Sequence, residues 1–271
     1  MPDDFFGGLD FGTSGARISI INIHKELVYS NSVPYQYSFK KPKSWINSCE
    51  ELLNRVPIEI KSNLKNIAIS GTSGTLIATD LEGEPLGEAI PYSQACNEHK
   101  LLLESLTFGE DHLRTPYSSL AKALKLIDKY GTNIFLRHQS DWITGWFLKD
   151  WTYGEEGNNL KLGWDLIQES WPKSFLNTSW QQCLPQIIKS GEIIGQVHSH
   201  IAESFKLNKK LILISGTTDS NASLLAAGLE KEDGLTVLGT TIVVKKIINN
   251  PIKEKGITTH RVSGDWICGG A

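Results

Sequence analysis

Apolar and polar residues alternate through residues 5 to 33 in three short runs. FFGGLDFG is followed by ARISIINI, then by a His24-Lys25-Glu26 turn, then by LVYSNSV. Each run is rich in β-branched or aromatic residues, so the pattern predicts three strands in an antiparallel meander. A helix is predicted over Trp45 to Val56, stopped by Pro57, and NIAIS at 66 to 70 reads as a buried strand. The order to this point is β-β-β-α-β. Helical periods then dominate Ser93 to Leu106, Ser118 to Tyr130 with Gly131 as the C-cap, and Asn133 to Lys149, which predicts a helical layer. LILIS at 211 to 215 reads as another buried strand, SNASLLAAG as a closely packing helix, and LTVLGTTIVVKKI as a new hairpin. The polar stretch from Glu230 to Gly234 is the one linker candidate.

One tripeptide punctuates this pattern. Gly-Thr-[Ser/Thr] occurs four times, at Gly12-Thr13-Ser14, Gly71-Thr72-Ser73, Gly216-Thr217-Thr218 and Gly239-Thr240-Thr241, and each copy follows an apolar run. Glycine lets the backbone turn tightly and approach a ligand, and the hydroxyls and successive N–H groups can hold phosphate or sugar oxygens. A single copy is ordinary turn chemistry. Four copies at strand ends predict loops converging at one end of a sheet.

The first copy carries an acid and a base beside its hydroxyls: Asp10, Gly12, Thr13, Ser14 and Arg17. Asp10 suits a hydrated Mg²⁺, the hydroxyls and loop amides suit a transferred phosphoryl group, and Arg17 suits nearby negative charge. The plainer reading makes Asp10 a turn-former and Arg17 a surface charge. In Gly216-Thr217-Thr218-Asp219 the carboxyl of Asp219 projects from a strand end, where it can accept a proton from an attacking hydroxyl. The alternative is that Asp219 caps the helix behind it. Neither G-x-x-x-x-G-K-[ST] nor G-x-G-x-x-G is present, so neither a P-loop nor a dinucleotide fingerprint is supported.

Composition narrows the choice of ligand. A formal charge of -3 with no block of like charge lacks the footprint of a nucleic-acid protein. No apolar run approaches the ~20 residues that span a bilayer, and the first residues carry no basic n-region, so a cytoplasmic protein is expected. Cys49, Cys96, Cys183 and Cys268 stand apart without a C-x-x-C pair and read as isolated thiols. His198-Ser199-His200 lacks a third ligand nearby and reads as a turn. Six of the eight tryptophans fall between Trp142 and Trp180. Trp142 and Trp146 share one helical face, which favours core packing over a sugar-stacking wall.

With DFGTSGAR, SGTSGT, GTTDSNAS and LGTT at these spacings, the chain resembles the FGGY carbohydrate kinases. Within them it is similar to the compact pentulose kinases of cyanobacterial and plant type, a subgroup supported by HQSDWITGW and NNLKLGWD. The resemblance implies an α/β fold: an actin-like ATPase, ribonuclease-H-like lobe with a mixed sheet and flanking helices over residues 1 to 231, and the opening strands of a second such lobe over 232 to 271. It implies ATP-dependent phosphorylation of a ketopentose, D-ribulose to D-ribulose 5-phosphate first and D-xylulose as the alternative, with ATP and Mg²⁺ as cofactors and no nucleic-acid or membrane partner. Asp219 becomes the base, Asp10 to Arg17 the first phosphate motif, and Gly239, Thr240 and Thr241 the second. Asp10, Thr72, Ser73, Gly74, Asn158 and Asp219 become the sugar contacts, with Asp10 holding Mg²⁺ through water.

Two departures qualify the resemblance. Thr72-Ser73-Gly74 stands where many relatives carry Gln-Met-His or Gln-Arg-Glu, and Pro91-Tyr92-Ser93-Gln94-Ala95 where they carry W-x-D-x-R. The adenosine-binding Gly-rich segment is not found before Ala271, so a truncated second lobe is expected, and with it weak nucleotide binding. Two further readings stand beside the kinase: a catalytically silent sugar-binding remnant, and a chaperone-like or cytoskeletal relative whose nucleophile is water.

Overall fold

In a computed structural model, which describes residues 4–107, 110–228, 230, 233–238, 242–254 and 256–270, the early alternation forms three antiparallel strands. They are β1 (Phe5–Phe11), β2 (Gly15–Asn22) and β3 (Leu27–Pro34). On β2, Ala16, Ile18 and Ile20 are buried while Arg17 and Ser19 face outward, the two-residue period of a sheet with one covered face. Helix α1 (Pro42–Arg55) opens on a proline in its first turn, where the missing N–H costs nothing. It buries Trp45, Cys49, Leu52 and Leu53, the i, i+4, i+7, i+8 stripe of an amphipathic helix. A short helix, α2 (Ile58–Lys61), leads to β4 (Leu64–Gly71), the predicted NIAIS strand extended at both ends.

The middle of the chain departs from its predicted helices. Residues 93 to 99 are irregular, and only α3 (Lys100–Leu106) is helical in that stretch. The Gln94 N–H turns back to Pro91 and the Cys96 N–H bonds Pro116, so the backbone donors a helix would need are taken elsewhere. Helix α4 (Ser119–Tyr130) is capped as expected: Ser118 accepts from the Ala121 N–H, and Gly131 ends it at φ 77°. The predicted helix from Asn133 to Lys149 is two elements instead. β5 (Leu76–Thr79) pairs antiparallel with β6 (Phe135–His138), and α5 (Gln139–Leu148) follows. Arg137, buried in β6, donates to the carbonyl of its neighbour Leu136 and to those of Trp151 and Cys183, the latter two distant in sequence, which no local period reveals. Trp142 packs edge-on against Trp45 at 5.8 Å, and Trp146 against Phe147 at 5.0 Å, so these rings are core.

Then come β7 (Tyr153–Glu155), α6 (Glu156–Asn159), β8 (Gln186–Ile188), β9 (Ile193–Gln196), α7 (Ser199–Phe205), β10 (Ile212–Thr218) and α8 (Asp219–Ala226). His198 caps α7 through its own ring, its Nδ1 accepting from the His200 N–H, so the segment expected to be a turn is the start of a helix. The central sheet runs β3-β2-β1-β4-β10-β9, with β1, β4 and β10 parallel and side by side. Parallel neighbours put their C-terminal ends on one edge, the edge where open α/β sheets place their ligands. A second sheet of β11 (Gly234–Leu238), β12 (Ile242–Ile248), β13 (Thr258–Val262) and β14 (Asp265–Gly270) runs β11-β12-β14-β13. The expected hairpin is there: β11 and β12 pair antiparallel from Gly234↔Lys246 to Leu238↔Ile242. Ile247, Val262 and Ile267 seat this sheet on Leu224 of α8. Arg261 of β13 grips the buried Glu156 of α6 at 2.6 Å and reaches Glu169 at 2.8 Å.

Candidate functional site

Three of the four Gly-Thr-[Ser/Thr] loops meet at the C-terminal edge of β1, β4 and β10. Cross-strand register puts Asp10 opposite Ser70 and Phe11 opposite Gly71, while Thr217 and Thr218 face the same two β4 residues from the other side. Gly239, Thr240 and Thr241 lie outside the described residues.

The first loop is braced from behind. Tyr35 donates its hydroxyl proton to the Gly12 carbonyl at 2.9 Å, and its N–H bonds the Ser14 carbonyl at 3.0 Å. Burial pushes the Tyr35 phenol well above its ordinary range, which keeps it a donor. Thr13 and Ser14 are left exposed at the tip. Asp10 accepts from Arg17 at 2.8 Å on one oxygen and from the Ser70 hydroxyl at 3.0 Å on the other. The pair is neither a bare turn nor a solitary surface charge.

The second loop divides its residues. Thr72 is buried, and its hydroxyl and N–H both give to the Gln139 side-chain oxygen, at 2.7 and 3.0 Å, with Thr75 a further 2.7 Å contact. Its polar groups are thus spent on holding the loop. Ser73 is half-buried, and Gly74 turns at φ +91°, a backbone region that favours glycine. Lys161 lies against this turn, its ammonium donating to the Ser73 carbonyl at 3.3 Å. Asn158 is fully buried in α6, its amide donating to Ser140 and Glu155 at 3.0 and 3.3 Å. It sits inside the protein beside Glu155, whose carboxyl burial pushes up to about 8.

The third loop ends in Asp219. The helix cap is its neighbour: Thr218 accepts from the Asn221 N–H, and Asp219 is the first residue of α8. The capping explanation for Asp219 therefore falls away. Burial raises its carboxyl above the ordinary aspartate range; Asp10 adds to that rise, whereas the Ser220 N–H, Lys161 and Lys245 oppose it. A half-buried carboxyl with a raised pKa, at a strand end among polar loops, has the attributes of a general base. The sequence offered no sign of Gln139, Lys161 or Lys245. They come from α5, the turn after α6 and β12, and only the tertiary fold brings them to the loops.

Among the described residues no cluster of three or more acids, histidines or cysteines could cage a metal alone. Asp10 nonetheless lies close enough to Asp219 to raise its carboxyl, and one or two carboxylates are what Mg²⁺ requires when it arrives with phosphate oxygens. The donor set fits a hydrated Mg²⁺ of that kind.

His260 of β13 lies near both lysines, and burial pushes its pKa down to about 3. The unfolded chain protonates this ring near its ordinary pKa of ~6.5, while the folded chain resists until about 3. Stability present above the unfolded value is therefore lost as pH falls through that window, by up to ~1.4 kcal/mol per pH unit. His260→Gln is expected to flatten the decline in thermal midpoint between pH 6.5 and 4; an unchanged slope would show that the ring is solvated.

No protein-family model matches the chain. Ribulokinases of several Staphylococcus aureus strains are 21% identical over 86% of the chain. The chain spans about half the length of those relatives, 52%. Solved structures superpose on nearly all of it. A xylulose kinase from Brucella ovis has a TM-score of 0.85 at 19% identity, covering 98% of this chain and 60% of its own. A gluconate kinase from Lactobacillus acidophilus gives 0.84 at 16%, covering 98% and 59%. Plasmodium falciparum glycerol kinase with ADP gives 0.82 at 17%, covering 99% and 61%.

Proposed function

We propose that this chain, which has the actin-like fold of the FGGY carbohydrate kinases, is the acceptor- and phosphate-binding part of an ATP-dependent ketopentose kinase. The observation that carries the reading is the position of Asp219, half-buried at the end of β10 beside the loops of Asp10 and Ser73. Residues 1 to 231 form the acceptor unit, and 232 to 271 open a second unit. Asp219 takes the proton of the attacking sugar hydroxyl. Asp10, through water, is the residue to hold Mg²⁺, which supplies charge neutralisation on the nucleotide phosphates when bound. Gly12, Thr13, Ser14 and Arg17 surround the phosphoryl group, with Gly239, Thr240 and Thr241 as its second loop. Ser73 and Gly74 line the sugar side, Thr72 holds their loop through Gln139, and Asn158 anchors α6 behind the site through Ser140 and Glu155. An ATP-consuming enzyme of this kind fits a cytoplasmic setting, and no helix among the described residues is long and apolar enough to cross a membrane.

D-ribulose is the first acceptor on the likeness to ribulokinases. The xylulose kinase structures favour D-xylulose as the second. A coupled ADP-release assay on the complete polypeptide, run across D-ribulose, D-xylulose, L-ribulose and glycerol, is expected to give turnover with D-ribulose highest. Turnover with glycerol and none with any ketopentose would overturn the reading.

A further inference from the structure

Two lysines flank Asp219, and the phosphotransfer roles above use neither. Lys245, buried on β12 of the second sheet, donates to Ser220 Oγ at 2.9 Å and Asn221 Oδ1 at 2.5 Å, the two residues that follow Asp219. Lys161, half-buried, lies near Asp219 as well and donates to the Ser73 carbonyl of the second loop at 3.3 Å. Among the described residues neither amine lies within 4.0 Å of a carboxylate, although six lysine–carboxylate contacts of that kind occur elsewhere, Lys65–Asp4 and Lys189–Glu169 among them. Asp10 is already matched by Arg17. One carboxyl, Asp219, thus answers to two amines that form no ion pair of their own. His260 adds a half-buried ring whose Nδ1 is buried without a hydrogen-bond partner. Buried charge that is neither paired nor solvated is costly, and an anion entering here relieves it.

We propose that Lys161, held by the Ser73 loop, and Lys245, held by the two residues after Asp219, form an anion site that takes the phosphoryl group of the phosphorylated sugar. The proposal rests on the phosphotransferase reading and adds its binding partners on the acceptor side. Phosphate oxygens accept several hydrogen bonds, and the two ammonium groups retain free donors after their contacts with Ser73, Ser220 and Asn221. Because one amine stands on the acceptor unit and the other on β12, a bound phosphoryl group also ties the second sheet to the first.

The groups that face the pair are Asp219 on α8 and His260 on β13, with Lys122 on α4 and His138 on β6 around Lys161. Burial lowers both lysines, Lys245 to about 8, with Asp219 opposing the shift. Anion affinity should therefore decline as pH rises through about 8, well below the range of a solvated lysine. Sulfate is the suitable probe, since its charge is constant over that range.

The test uses the 271-residue chain, with sulfate, D-ribulose and D-ribulose 5-phosphate titrated separately and binding followed by calorimetry. Sulfate is expected to bind saturably and to weaken at least about 10-fold in Lys245→Met and in Lys161→Met, while Lys245→Arg stays within about threefold and loses the decline near pH 8. D-ribulose 5-phosphate is expected to bind at least about 10-fold more tightly than D-ribulose, a margin that Lys245→Met abolishes. Circular dichroism checks folding, and Lys161→Gln replaces Lys161→Met if the latter does not fold. Absence of saturable sulfate binding, or sulfate binding indifferent to both lysines, overturns the inference. A chain that takes sulfate through these lysines and no ketopentose keeps the anion site and removes the kinase reading; the reverse result removes only the anion site.

Discussion

Replacing Asp219 with asparagine is expected to lower kcat of the complete enzyme by about 10²- to 10⁴-fold, the range for a positioned general base. KM for the sugar should move little, because asparagine keeps the shape and one acceptor oxygen. Stability should also hold. Thr218, not Asp219, caps α8, so the substitution leaves the helix start intact. Asp219 accepts the N–H of its own neighbour Ser220 at 2.8 Å, which an amide oxygen can replace. Turnover and the denaturation midpoint, measured on one preparation, separate the two properties. Unchanged turnover would remove the base assignment and leave the fold untouched.

The second large effect is expected at Gly216→Ala. A Cβ built on Gly216 falls 1.9 Å from the Ile69 carbonyl oxygen and 2.6 Å from its carbon, distances that no side-chain adjustment relieves. The contact lies where the β4–β10 register shifts, between Ile214 and Thr217. Adding one carbon must push the two strands apart or displace the loop that carries Asp219. Forced overpacking of this kind costs about 3 kcal/mol. For a chain of this size that corresponds to a fall in thermal midpoint of roughly 6 to 12 °C. Gly8→Ala is the control, since its Cβ would meet nothing nearer than 4.0 Å. If both alanine variants melt with the parent, the close approach of Gly216 to β4 is absent in solution.

Local signals carried the parts of the fold that local physics decides. The meander was legible because a two-residue alternation with Gly and polar turns has one structural solution, and α4 because Ser118 and Gly131 mark its ends chemically. The stretch from Asn133 misled for the converse reason. Phe135–His138 has no period of its own, and its strand identity comes from Leu76–Thr79, some sixty residues earlier. The same limit applies at the site. Asp10 and Asp219 announced themselves through the glycines and hydroxyls beside them, which are sequence neighbours. Lys161 and Lys245 sit between apolar neighbours, in LKLG and VKKI, with no glycine-hydroxyl signature, and acquire meaning only when the turn after α6 and β12 arrive at the loops. Thr72 shows the opposite case: a residue singled out for its hydroxyl spends that hydroxyl on Gln139.

The distribution of tryptophans divides the optical properties of the protein. Trp45, Trp142, Trp146 and Trp151 lie in the main core, and Trp164, Trp171 and Trp180 gather around Phe175, so seven of the eight indoles sit outside the second sheet. Trp266 alone belongs to the second sheet, with the Arg261 guanidinium 5.2 Å above its ring. That same guanidinium holds Glu156 of α6. A change in how the sheets meet therefore alters the cation over a single fluorophore, while the other seven supply a steady background. With Trp266→Phe subtracted as the reference, the remaining signal isolates the contact between the two sheets.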